Sequence, residues 1–145
     1  DITYNSNAIE GNTLTLQETK VVLEGITIGG KSLREHFEAI NHKDALIFIE
    51  DLLKNRDLSE LDIKQIHSLI LKNIDDKNRG KYRDINVLIS GAKHIPPKNI
   101  DIPIEMEKLI KWYCNNKKEI HLVELVSRLH IDFVKIHPFI DGNGR

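Results

Sequence analysis

An all-α fold with one small β-hairpin is predicted by three observations. Helix-start signals recur along the chain, apolar residues return at helical spacing for most of its length, and a single stretch, residues 86–97, breaks that trend with glycine and two prolines. At 145 residues and 40% hydrophobic content the chain suits a single domain, 1–145, with a continuous core.

The elements follow in order. Thr15-Leu16-Gln17-Glu18 and Ser32-Leu33-Arg34-Glu35 have the Ser/Thr-x-x-Glu form in which two side chains satisfy free amides of a first turn, so helices should begin at each. The first is expected to run to about Glu24. The second carries Leu33, Phe37, Ile40, Ile47 and Leu52 at roughly helical spacing, which predicts one packed and one solvated face. Ser59 opens a third helix through Ile63, Ile66 and Ile70, and Pro103 suits the first turn of a fourth carrying Leu109, Ile110 and Tyr113. From Ile120 to Ile136 apolar residues occupy nearly every side of a helical wheel, which predicts a central, buried helix; the stretch is too long for an ordinary strand. Asn86 to Ser90 and Lys93 to Ile95 read as two short extended runs about Gly91, closed by Pro96 and Pro97.

Bulk charge excludes some functions. With 21 basic and 22 acidic residues the net charge is −1, so neither nucleic acid nor a membrane surface is expected as a partner. Cys114 is the single cysteine, which excludes an internal disulfide and favours a reducing, cytoplasmic setting. No stretch has the length and apolarity of a membrane span.

Chemistry concentrates in the last nine residues, HPFIDGNGR. Pro138 disfavours helical geometry at His137, so the long helix should end there and present the imidazole at its exit, where it can act as a general base. Gly142 and Gly144 allow consecutive amides to turn inward as an anion cradle, with Asn143 as a neutral donor and Arg145 as a forked cation for phosphate. Asp141 supplies the hard carboxylate that Mg²⁺ takes beside phosphate oxygens. The set describes phosphate-ester chemistry on a nucleotide. Turn dipeptides with ordinary surface side chains are the plainer alternative. A histidine metal site is poorly supported, because His121 projects opposite His130 and Pro138 separates His130 from His137.

These nine residues resemble the signature of the Fic family, H-x-F-x-(D/E)-G-N-(G/K)-R, at every position; Gly80-Lys81-Tyr82-Arg83 resembles the G-x-(Y/F)-R often found upstream. The resemblance implies a Fic-type helical bundle whose hairpin is a flap, and transfer of AMP from Mg·ATP to a Ser, Thr or Tyr hydroxyl of a protein target. It makes His137 the base and Asp141 the Mg²⁺ ligand. Asn143 and the amides around Gly142 and Gly144 would hold the phosphates, and Arg145 would counter the developing charge. The flap would grip the target, with Ile89 and His94 as contacts. Near the start, Ser6, Glu10 and Gly11 are similar to the family's inhibitory helix motif, (S/T)-x-x-x-E-(G/N), placing that helix at about 3–11. A carboxylate there would pair with a second arginine of the pattern, which would fall beyond Arg145, so the chain is expected to be part of a longer protein. The family likeness leaves room for a homodimer, for removal of AMP, for transfer of another phosphate-containing group, and for a non-catalytic nucleotide-binding module.

Overall fold

The computed structural model describes residues 2–53 and 57–145, and these form six α-helices with no strand among them. They are α1 (Ile2–Ile9), α2 (Leu16–Leu23), α3 (Leu33–Leu53), α4 (Glu60–Ile70), α5 (Ile102–Asn116) and α6 (Leu122–Ile136). The predicted caps are present. Thr15 and Glu18 close a reciprocal box, Thr15 N–H to Glu18 Oε2 at 2.7 Å and Glu18 N–H to Thr15 Oγ1 at 3.2 Å. Ser32 and Glu35 do the same at the start of α3, and Ser59 with Asp62 at the start of α4. Each satisfies two amides that the first turn leaves unpaired.

The long α3 is the spine: it packs against α1, α2 and α4, while α5 and α6 pair and join the rest through α4. Its buried face is only partly the predicted one: Leu52 is buried and Ile40 packs against the core. Leu33 and Ile47 are exposed, whereas His36, Ala39, Asn41, His42, Ala45 and Leu52 are buried. Small Ala39 and Ala45 let neighbouring helices approach, and the polar groups are all bonded. Ile28 N–H donates to His36 Nε2 at 2.8 Å, and Asn41 Nδ2 donates to the carbonyls of Ile70 and Lys72 at the end of α4. A helix enclosed on three sides can bury polar side chains once those partners exist.

A second departure concerns α6. Leu125 and Ile136 are buried, but Leu122, Val123, Val126 and Ile131 are at least half exposed, so the helix is not enclosed on all sides. Its inner side joins Ile102, Met106 and Leu109 of α5, with Ile63 and Tyr82 packed against that cluster. Its remaining apolar face borders a cavity of about 270 Å³ shared with α4, α5 and the closing loop.

The predicted hairpin does not form. Residues 86–97 make a turn, Ala92 N–H to Ile89 carbonyl at 3.1 Å, without a ladder between the two runs. Two short strands alone are marginal, and Pro96 and Pro97 offer no N–H. The excursion is held at its feet instead. Asn99 bonds Asn86 Oδ1 and the Asp84 carbonyl, and the guanidinium of buried Arg83 donates to the carbonyls of Ile85 and Pro97, both at 2.7 Å.

Candidate active site

The closing loop turns away from α6 at His137, which caps the helix in the left-handed region, φ 49° and ψ 59°, with its N–H still bonded to the Phe133 carbonyl. A non-glycine residue there costs roughly 1–2 kcal/mol, and such strain persists where surroundings enforce it. They do so here: Arg83 donates from Nε to the His137 carbonyl at 2.8 Å and from its backbone N–H to the Pro138 carbonyl at 2.9 Å. One buried arginine therefore ties the flap feet to the start of the loop. The His137 ring is half-buried, and its Nδ1 has no hydrogen-bond partner among the described residues. Burial, helped by the charge of Arg83, lowers its pKa against the opposing effect of the Val134 carbonyl. The imidazole is thus neutral near pH 7 and can accept a proton.

Phe139 is fully buried and stacks on His67 of α4, ring centroids 3.6 Å apart and planes within 5°. His67 also receives the Gly80 N–H at Nδ1 (2.9 Å), which leaves its proton on Nε2 to donate to the Asp141 carbonyl (2.9 Å). Asn143, expected to offer its side chain to phosphate, closes the loop instead. Its Oδ1 accepts from the Phe139 N–H at 3.0 Å and its Nδ2 donates to the Phe139 carbonyl at 2.9 Å. What the loop leaves for an anion are the backbone amides of Asn143, Gly144 and Arg145, which carry no hydrogen bond among the described residues. Gly142 sits at φ 78°, a conformation that favours glycine, and gives the loop its bend.

Glu10 reaches this loop from the far end of the sequence. The helix expected at about 3–11 is α1, Ile2–Ile9, and Glu10 and Gly11 lie in the turn just after it. The Glu10 carboxylate lies against the Cα of Gly144, in the space a side chain there would need. Ser6, half-buried on α1, stands a turn away. Asn12 pins the segment to α3, donating from Nδ2 to Glu38 Oε2 at 2.9 Å and to the Glu35 carbonyl at 3.0 Å. Glu10, Gly11, Asn12, Arg34, Glu38, Asp141 and Arg145 line one polar cleft of about 230 Å³.

Within it Arg145 is nearly enclosed, paired to Glu38 Oε1 at 2.8 Å and Asp141 Oδ1 at 3.2 Å, and its buried Nε has no partner among the described residues. That orphan donor fits an incoming phosphate oxygen. Burial pushes the Asp141 carboxyl up, but the charge of Arg145, the Arg34 hydrogen bond and the Gly142 N–H together hold it below the ordinary range, so it is anionic. Among the described residues no cluster of three or more His, Cys, Asp or Glu could cage a metal. A single carboxylate ligand such as Asp141 suits Mg²⁺, which keeps its waters and takes substrate phosphates, better than it suits zinc. The expected flap contacts divide: Ile89 is half-buried, while the exposed His94 bonds the Lys135 carbonyl through Nε2 at 2.9 Å and so anchors the flap to α6.

Sequence reasoning did not single out His67, Arg34 or Glu38, and it valued Arg83 only as part of a pattern. The contacts that tie them to the loop and flap span 13 to 107 positions, beyond any local spacing, although Arg34–Glu38 and Arg83–Ile85 are local pairs. A histidine on the inner face of an amphipathic helix, as His67 is, was the one available signal.

The model of the Fic/DOC family matches residues 57–145, and the chain belongs to that family. It is 37% identical over 146 residues to the protein adenylyltransferase Fic of Nematostella vectensis, covering 98% of this chain and 34% of the relative. The Drosophila melanogaster protein of that name is 35% identical, with 98% and 29% covered. Among solved structures, a Fic-domain-containing signaling protein from Bacteroides thetaiotaomicron superposes with a TM-score of 0.88 at 36% identity over 99% of this chain and 56% of that one. Fic-1 from C. elegans gives 0.89 at 33% identity, covering 98% and 43%. The chain spans about a third of the length of the curated relatives it matches. No helix of the described residues is long and apolar enough to cross a membrane.

Proposed function

We propose that residues 1–145 form the Fic domain of a protein adenylyltransferase that moves AMP from ATP to a Ser, Thr or Tyr hydroxyl of a protein target, with Glu10 as its restraint. The observation that carries this is the meeting of Glu10 with Asp141 and Arg145 in one polar cleft, the last two on the loop that opens at His137, whose imidazole is neutral. The target hydroxyl oxygen attacks the α-phosphorus, its proton passes to His137, and the bond to the β-phosphate breaks to release pyrophosphate. The unpaired amides of the loop and the orphan Nε of Arg145 meet the charge that develops. Asp141 would hold Mg²⁺, which supplies Lewis acidity at the phosphates. The unpaired edges of the flap leave backbone groups for an extended target segment to bond. The position of Glu10 over Gly144 crowds the cleft, which supports a restrained resting state.

The same carboxylate favours one second reading, in which Glu10 positions water and AMP is removed from a modified protein. Mass spectrometry for hydroxyl-linked AMP separates them, on the full-length protein with ATP and extract. Glu10→Gly should raise the label and His137→Ala should remove it. Label that persists in His137→Ala refutes the base assignment. A Glu10→Gly protein that adds no label, while the native protein strips AMP from a modified target, favours removal.

A further inference from the structure

Four charged side chains close a ring in the polar cleft. Arg34 Nε pairs with Glu38 Oε1 at 3.0 Å, Glu38 Oε1 with Arg145 Nη1 at 2.8 Å, Arg145 Nη2 with Asp141 Oδ1 at 3.2 Å, and Asp141 Oδ2 with Arg34 Nη2 at 2.6 Å. The two Asp141 oxygens are unequal. Oδ1 is shared by Arg145 and the Gly142 N–H, whereas Arg34 is the one donor on Oδ2 among the described residues. The two arginines also differ. The Arg145 side chain is 4% exposed, while that of Arg34 is 55% exposed on the first turn of α3. Arg34 can therefore leave Asp141 while its Nε stays on Glu38. If it leaves, Glu38 still keeps Arg145 and Asn12.

We propose that Arg34 is a resident counter-ion on the metal carboxylate, so that a divalent cation gains Asp141 by displacing this guanidinium. The proposal rests on the reading of Asp141 as the metal ligand. The ring is electrically balanced, two carboxylates against two guanidiniums. Adding a dication with Arg34 still bonded would bring three positive groups onto one carboxylate, and exchange avoids that repulsion. The Arg34 contact is charge-assisted yet solvent-accessible, strong enough to hold the carboxylate in place and weak enough to yield. It makes the metal's apparent affinity lower than the carboxylate alone would give.

The test is Mn²⁺ binding to the full chain, followed by electron paramagnetic resonance with a non-hydrolysable ATP analogue present. Arg34→Gln, at an exposed position that leaves the fold intact, should bind Mn²⁺ about three- to tenfold more tightly than wild type. Lys31→Gln removes an equal charge from the loop before α3 without touching Asp141, and should stay within about twofold. Asp141→Asn should lose the site. Unchanged or weaker binding by Arg34→Gln, or an equal gain in Lys31→Gln, overturns the proposal while Asp141→Asn still loses its metal. If Asp141→Asn binds as wild type does, the metal reading beneath it has failed and the counter-ion role falls with it.

Discussion

Replacing His67 with phenylalanine separates what its ring does by stacking from what its nitrogens do by bonding. The substitution keeps an aromatic face against Phe139 but strands the Gly80 N–H and the Asp141 carbonyl, both partly buried. An unsatisfied buried group costs about 1–3 kcal/mol, so, with some water reaching each, the pair should cost about 2–4 kcal/mol. For a domain whose stability lies in the range of roughly 5–15 kcal/mol, that is a large share. With a urea slope of about 1–3 kcal/mol per molar, the unfolding midpoint should fall by about 1–2 M, read by far-ultraviolet circular dichroism. His67→Gln can restore one of the two bonds and should lose about half as much. A His67→Phe protein within about 0.5 kcal/mol of wild type would refute the claim that these bonds hold the loop.

Gly144→Ala sets a methyl group where the Glu10 carboxylate lies. It should cost about 0.5–1 kcal/mol in urea unfolding with Glu10 present and close to nothing in the Glu10→Gly background; equal costs in both would show that the two residues do not touch. Mild acid should weaken the fold through its buried histidines. Burial lowers the pKa of His42, His67 and His137, so below about pH 6.5 the unfolded chain takes up protons that the folded chain refuses. Stability is then full above that pH and falls as pH drops toward 5, by at most about 1.4 kcal/mol per pH unit for each histidine. Urea midpoints that stay flat between pH 7 and 5 would contradict this.

The ends of helices were legible in the sequence because a cap is a local bargain between residues three apart, as Thr15 with Glu18 and Ser59 with Asp62 demonstrate. The exit of α6 was legible too, since Pro138 constrains its neighbour directly. Faces were harder. Hydrophobic spacing gave α3 an apolar stripe through Leu33 and Ile47, yet the helix buries Asn41 and His42, whose partners Ile70 and Thr3 are 29 and 39 positions away. The apolar wheel of α6 announced burial without saying against what. In the site, the closing loop and Glu10 were readable as patterns. The ring that ties the loop to α3 was not, because charge pairing across 107 positions leaves no periodic trace. The place of Asn143 was hidden for a related reason: residue type advertises a donor but not the Phe139 backbone groups it bonds.

Arg83 gives the flap and the histidine a common fulcrum, because one guanidinium grips Ile85, Pro97 and His137 together. A displacement of the flap feet is thereby passed to the backbone of His137, so the two segments stay in register under load.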